Sequence, residues 1–341
     1  MAGIRDLISF DRMSDFWGIL RELDPGAVER DANRSIRLVV CGQVGVGKRR
    51  LAAELTGGDL GSSVIDVYDM PTDVPIALPE ADAYIYVTSA LVRNPPVESA
   101  HLRQLSHRSA PVLVVLTDAT DADNRGLIDR LAAAGGLDPT HVVALSVDHS
   151  DDVFAKLVPT LLRSTPSIAL PLGRQLPALR RQAANRLVEE TSQVNAEFAA
   201  LSGLPALIPI VGGFAAAGAD MIVLTKNQVM LILKLAITHG RSVDNRLQVI
   251  TELVPIVGAG FLWRTIARSL VALVPGPLTI APKVAVAYVG TYVVGKAAQH
   301  YYRVGKRPSV ETLEHFQREA LEQLRSVLPN LSQLGRRISR P

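Results

Sequence analysis

The most constraining feature is a series of short, β-branched apolar runs spaced along residues 35–165. They are Ile36–Cys41, Val64–Asp69, Ala83–Thr88, Val112–Thr117 and Val142–Ser146, each closing on polar or small residues. Amphipathic stretches of helical length lie between most of them, and 152–162 follows the last. Strands buried on both faces read as continuous apolar runs, and parallel neighbours need a crossover of a dozen or more residues. The alternation therefore predicts an α/β domain: a parallel sheet of about five strands covered by helices on both faces.

The chain is long enough for two domains, with 341 residues. Residues 1–34 read as a helical leader ended by Asp24-Pro25-Gly26. Residues 166–175 carry prolines and read as a linker. Beyond them, Leu176, Leu179, Ala183, Leu187, Val194, Phe198 and Leu201 recur at helical spacing. The expected second domain, 176–330, is all-α and strongly apolar. Charged residues are 20% of the chain, below the usual ~25%, and mean hydropathy is +0.21. The excess lies in 203–224, 256–274 and 279–298. The last two are joined by Pro275-Gly276-Pro277 and predict a helical hairpin. Each is near the ~20 residues that cross a bilayer, but Arg264, Arg268 and Lys283 oppose simple insertion. Asp220, Asn227, Lys234 and Thr238 trace a narrow polar line along an apolar helix. Such a helix lines a bundle, pairs with another helix or lies at an interface.

Net charge is +3, too balanced for a nucleic-acid partner bound through phosphate neutralisation. The single cysteine, Cys41, excludes an internal disulfide, and the seven histidines show no tight ligand spacing. The first twenty residues carry Asp6, Asp11 and Asp15 and do not read as an export signal. The expected location is the cytoplasmic face of the inner membrane. The expected partners are a membrane surface or bilayer and a protein, either another chain or a second copy.

The chemistry concentrates after the first strand. Gly42-Gln43-Val44-Gly45-Val46-Gly47-Lys48-Arg49 fits G-x-x-x-x-G-K between a strand and a helix. There, glycines let backbone N–H groups curl around an anion, the helix N-terminus adds positive potential and the lysine reaches the terminal phosphates. The residue after the lysine should be a Ser or Thr whose hydroxyl ligates Mg²⁺. Arg49 stands there, and a guanidinium repels a cation.

These residues resemble an Era-type bacterial GTPase domain over 36–165. The resemblance implies a GTP or GDP site with Mg²⁺. In that family a D-x-x-G follows a strand, and Asp69-Met70-Pro71-Thr72 matches it. Asp69 would organise the Mg²⁺-bound water, and Thr72 replaces the glycine that senses the γ-phosphate. Ala81-Asp82-Ala83-Tyr84 resembles the opening of the next strand. The guanine-reading Asn-Lys-x-Asp is represented by Thr117-Asp118-Ala119-Thr120, with Asp121 one place late. The last motif, Ser-Ala, appears as Ser146-Val147. Lys48 and Asp69 are 21 positions apart. That leaves no room for the extra strand and first switch loop of the family, so the domain is a trimmed one.

Residues 204–316 resemble a bacterial domain of unknown function found behind Era-like GTPases and in certain inner-membrane proteins. The resemblance rests on Leu207-Ile208-Pro209, on Asp220 through Gln228-Val229-Met230 to Gly240, and on Gly290 to Lys296 with Tyr301-Tyr302. Phe16-Trp17 through Leu23-Asp24-Pro25 resembles the leader of such fused proteins.

Three functions follow as expectations. The first is a degenerate GTPase-like protein that binds nucleotide phosphates and acts as a membrane-associated switch or scaffold. The second is an active GTPase with unusual Mg²⁺ ligation. The third is a structural membrane-binding or partner-binding protein that uses no nucleotide. The residues expected at the site are Gly42, Gln43, Val44, Gly45, Val46, Gly47, Lys48, Arg49, Asp69, Thr117, Asp118 and Ser146, with Asp69 as the one metal ligand.

Overall fold

The structure is a computed structural model that describes residues 24–59, 61–71, 76–119, 124–146, 149–202, 216–241 and 280–338. Thr72, Thr120, Asp121, Val147, the leader to residue 23, residues 204–215 and the arm 256–274 lie outside the described residues. The chain divides into two compact units, one of them Asp31–Arg186 and the other containing the described residues up to Arg30 and from Leu187 onward.

The first unit is the expected α/β domain. Its elements are α1 (Pro25–Asn33, most of which precedes the unit), β1 (Leu38–Gly42), α2 (Lys48–Thr56), β2 (Ile65–Asp69), β3 (Ala83–Ser89), α3 (Pro95–Ser106), β4 (Val112–Thr117), α4 (Arg125–Gly135), β5 (Val142–Leu145), α5 (Val158–Ser164) and α6 (Ala169–Gln175). The five strands are parallel in the order β2-β1-β3-β4-β5. All of β1, β3, β4 and β5 is buried, which is why these segments read as unbroken apolar runs. Alternation splits each strand between two faces. Val39, Cys41, Tyr84, Tyr86, Val112 and Val114 pack in one core with Leu102 and Leu105 of α3 and Leu131 of α4. Burial pushes the Cys41 thiol up to about 12, so Cys41 behaves as a small apolar core residue.

The stretch 166–175 is not a linker. It forms a 3₁₀ turn, Pro166–Ile168, and then α6, and Ile168, Ala169, Leu170 and Leu172 are all buried. Its prolines stand in first turns, where a missing N–H costs nothing. Gln175 Nε2 donates to the carbonyls of Ala32 at 3.1 Å and Arg34 at 2.9 Å, and Arg34 donates to the Ser167 carbonyl at 3.0 Å.

The second unit is helical. Its elements are α7 (Arg180–Ser202, whose first turns belong to the α/β unit), α8 (Ala216–Thr238), α9 (Ile280–Val304) and α10 (Val310–Ile338). α8 packs on α9, and α9 on α10. On α7, Val194 was expected on the buried face but is exposed, and Asn195 is buried instead. Asn195 Nδ2 donates to Thr291 Oγ1 at 2.7 Å, and Asn227 Nδ2 donates to Asn195 Oδ1 at 2.6 Å. A polar side chain is tolerated there because its partners replace water. The polar line on α8 therefore faces the bundle at Asn227, and Thr238 is buried and bonded to the Lys234 carbonyl at 2.8 Å. Between α9 and α10, Tyr292 donates to Glu319 at 2.8 Å, and Lys296 pairs with the same carboxylate at 3.3 Å. Among the described residues no helix is long and apolar enough to cross a membrane.

Candidate functional site

The strand order reverses direction between β1 and β3. In open α/β sheets ligands bind at such a switch point. The loop 42–48 rises from the end of β1 at this position.

Gly42 ends β1 opposite Val87 of β3. Its φ is 145°, and a Cβ there would lie 2.2 Å from the Val87 carbonyl oxygen. The turn is thus open only to glycine. Gln43 follows, and Val44 projects into solvent. Gly45 has φ of 86° with open space around it. Val46 is buried, and Thr117 Oγ1 at the end of β4 reaches its carbonyl at 3.4 Å. Gly47 is the N-cap of α2, with φ of 91°. Helices usually begin on a Ser, Thr, Asp or Asn that satisfies a first-turn N–H. No side chain caps α2, and its first turn carries no acid. Those N–H groups and the positive end of the helix dipole are left for an anion.

Lys48 is buried, at 4% exposure. Its ammonium donates to the Gln43 carbonyl, folding back under the loop. It also pairs with Asp69 Oδ1 at 2.9 Å. Asp69 ends β2 and is half exposed. The hydrogen bond from Lys48 holds its carboxyl below the usual carboxylate range, helped by the charges of Lys48 and Arg49. The Met70 N–H donates to the Gly42 carbonyl at 2.9 Å, fastening the segment after β2 to the start of the loop. Arg49 is exposed on the first turn of α2.

The remaining expected residues are placed less favourably. Asp118 follows β4 with φ of 57°. Its Oδ2 accepts from Ser89 Oγ at 2.8 Å and lies 3.2 Å from Thr117 Oγ1. The carboxylate is thus taken up by neighbouring hydroxyls. Thr117 is buried and is also 3.2 Å from the Thr88 carbonyl. Ser146 follows β5 at the sheet edge, and its N–H donates to Asp152 Oδ2 at 3.4 Å. The structure therefore brings together 42–49, Asp69 and Thr117, joins Asp118 to that group through Thr117, and leaves Ser146 on the edge strand.

Sequence reasoning missed a buried polar layer beneath the site. Thr88 donates to Glu98 Oε1 at 2.6 Å, and Arg93 grips both carboxylate oxygens of Glu98 at 2.8 and 3.0 Å. Tyr86 OH lies 3.2 Å from His101 Nδ1, and His101 Nε2 lies 3.0 Å from the Pro71 carbonyl. Pro71 accepts only, so Nε2 carries the proton. The signal was present. Glu98, His101, Leu102 and Leu105 recur at three and four, which places the two polar residues on the buried stripe of α3.

A cavity of about 490 Å³ lies at the opposite, amino ends of the strands, lined in part by Asn33, Arg37, Ser63 and Asp82. Asp82 is engaged by the Arg37 N–H at 2.8 Å and by Arg34 at 3.5 Å.

Compared with protein-family models and with curated proteins, the chain gives no match. The five-stranded parallel sheet is compatible with a P-loop-like fold.

Proposed function

We propose that the α/β unit binds the phosphate groups of a nucleotide, and that the chain is a degenerate GTPase-like switch or scaffold working at a membrane surface. The observation that supports this most is the buried Lys48 ammonium. It lies at the floor of an uncapped, glycine-turned helix N-terminus, at the switch point of a parallel sheet. A buried ammonium is costly unless it is used or paired. Here its partners are a half-exposed carboxylate and a loop carbonyl, and a phosphate can replace both.

Arg49 weighs against the active-GTPase reading, because it stands where a metal-ligating hydroxyl is needed. The self-satisfied Asp118 weighs against strong guanine selection. Titration calorimetry of the full chain with GDP, GTP and ATP tests the proposal. Wild type should bind, and Lys48→Ala should weaken binding by at least about tenfold, the worth of one strong charge-assisted contact. Asp69 is half exposed, so water takes over the lost pair and the variant should stay folded. No binding by wild type at millimolar nucleotide overturns the proposal.

Attachment to a membrane surface is supported by the apolar runs 203–224 and 256–274, which lie largely outside the described residues. Flotation of the full chain with anionic lipid vesicles checks it. Co-flotation is expected, and a chain that stays in the dense fraction overturns this half of the proposal.

A further inference from the structure

The GTPase resemblance implies Mg²⁺ beside the phosphates, and the donor set here does not fit it. Mg²⁺ demands octahedral oxygen ligation, normally from a loop hydroxyl, a carboxylate, water and the phosphates. The hydroxyl position is Arg49. The carboxylate, Asp69, already holds the Lys48 ammonium at 2.9 Å. Among the described residues no group of three or more His, Cys, Asp or Glu side chains could hold a metal. A dication at Asp69 would meet two fixed positive charges from adjacent residues of α2.

We propose that the site takes the phosphate chain of a nucleotide without a divalent cation. Arg49 supplies the positive charge that a metal would bring. Asp69 is the counter-ion that the incoming phosphate displaces from Lys48. This rests on phosphate binding at the loop, the reading given above.

The geometry supports each part. Arg49 lies on the first turn of α2, next to the lysine and beside the open N–H groups. It is exposed, and its charge acts on Asp69. A guanidinium is a planar donor suited to two phosphate oxygens at once. Asp69 in turn keeps the Lys48 ammonium neutralised until an anion competes for it. Ligand-free, the group is Lys48⁺, Arg49⁺ and Asp69⁻, with one net positive charge from these three residues. Binding exchanges a carboxylate for a phosphate at the ammonium and leaves the carboxylate to water, which its exposure permits.

The role of Asp69 gives a test of sign. A carboxylate that organises a metal supports nucleotide binding, so its loss weakens binding. A carboxylate that competes with phosphate opposes binding, so its loss strengthens it. The full chain is titrated with GDP and with inorganic triphosphate, in excess EDTA and in excess Mg²⁺, as wild type, Asp69→Asn, Arg49→Ala, Arg49→Ser and Lys48→Ala. Circular dichroism checks the fold of each.

Wild type should bind at least as tightly in EDTA as in Mg²⁺. Asp69→Asn should bind about threefold to tenfold more tightly, and Arg49→Ala about tenfold more weakly. Arg49→Ser restores the hydroxyl and should be the variant whose affinity rises with Mg²⁺. Suppose instead that wild type needs Mg²⁺, or that Asp69→Asn weakens binding, while Lys48→Ala still weakens it at least about tenfold. The metal-free inference then falls and phosphate binding stands. If wild type binds neither ligand under either condition, both fall together.

Discussion

Replacing Gly42 with alanine is expected to be the most damaging single change in the α/β unit. Two costs coincide at this residue. The backbone sits at φ of 145°, a conformation that a Cβ disfavours, and the new methyl would lie 2.2 Å from the Val87 carbonyl oxygen. That oxygen belongs to the backbone of the central strand β3, so it cannot swing aside as a side-chain tip would. Relief requires moving β1 away from β3 or rerouting the loop. Strain of this kind and overpacking in a close-packed interior each cost ~1–3 kcal/mol. Together they should remove ~3 kcal/mol or more from a domain whose total stability is ~5–15 kcal/mol. Urea denaturation should show a lower midpoint with an unchanged slope, or no folded baseline. The same shift would tilt Lys48 away from its place under the loop, so phosphate binding should be lost with it. A variant within ~1 kcal/mol of wild type would overturn this account of the turn.

The second large effect is expected at Arg93. Its guanidinium closes on Glu98, whose side chain is only 1% exposed. Burial, the largest influence on Glu98, pushes its carboxyl up. The hydrogen bonds from Arg93 and Thr88 outweigh burial and leave it below the usual carboxylate range. Arg93→Ala removes the stronger partner and strands a buried charge, which typically costs ~3–5 kcal/mol. The pH dependence carries a matching sign. A carboxyl depressed in the folded state stabilises the fold above its unfolded value of 4.5. That contribution fades as pH falls through the lower, folded value. Wild type should therefore lose stability in this acid window. In Arg93→Ala burial pushes the carboxyl up toward or past its unfolded value, so this acid-window loss should shrink or reverse. Chemical denaturation of both proteins between neutral and acidic pH measures this. Equal stability at neutral pH, or superimposable pH profiles, would show that the pair contributes little.

The strands were legible because each is a β-branched run bounded by polar residues. Their observed bounds differ from the expected ones by two positions at most, at Leu38 against Ile36. The phosphate loop was legible for the same reason, since its glycines fall between a readable strand and a readable helix. Residues 166–175 read as a linker from their prolines alone, because proline is disfavoured in helix interiors. Pro166 stands in the first turn of its 3₁₀ segment and Pro171 in the first turn of α6, both positions that tolerate it, while Ile168, Leu170 and Leu172 carry the burial signal. Val194 was misplaced because spacing alone cannot show that Asn195 has partners on two other helices. The Glu98 and His101 layer escaped because charged residues are read as surface until a partner is seen. The role of Asp69 reads differently once its distance from Lys48 is known. A motif match shows which residues converge, but not whether a carboxylate faces a cation site or the lysine.

The fastening of α1 to α6 has a consequence for the order in which the chain acquires its structure during synthesis. The carbonyls of Ala32 and Arg34 are met by Gln175, and the Gln175–Arg34 pair spans 141 positions. Among the described residues no hairpin precedes it, because every strand pairing in the sheet is parallel and waits for a crossover. β1, the first strand made, is flanked on both sides only after β3 has been translated. At ~5–20 residues per second, roughly 7–30 s pass between the emergence of Arg34 and that of Gln175. In the last part of that interval, after β5 ends at Leu145, all five strands have been made without the segment that ties the two ends of the unit together. A nascent chain stalled short of residue 175 would hold the sheet and the phosphate loop but not this clasp.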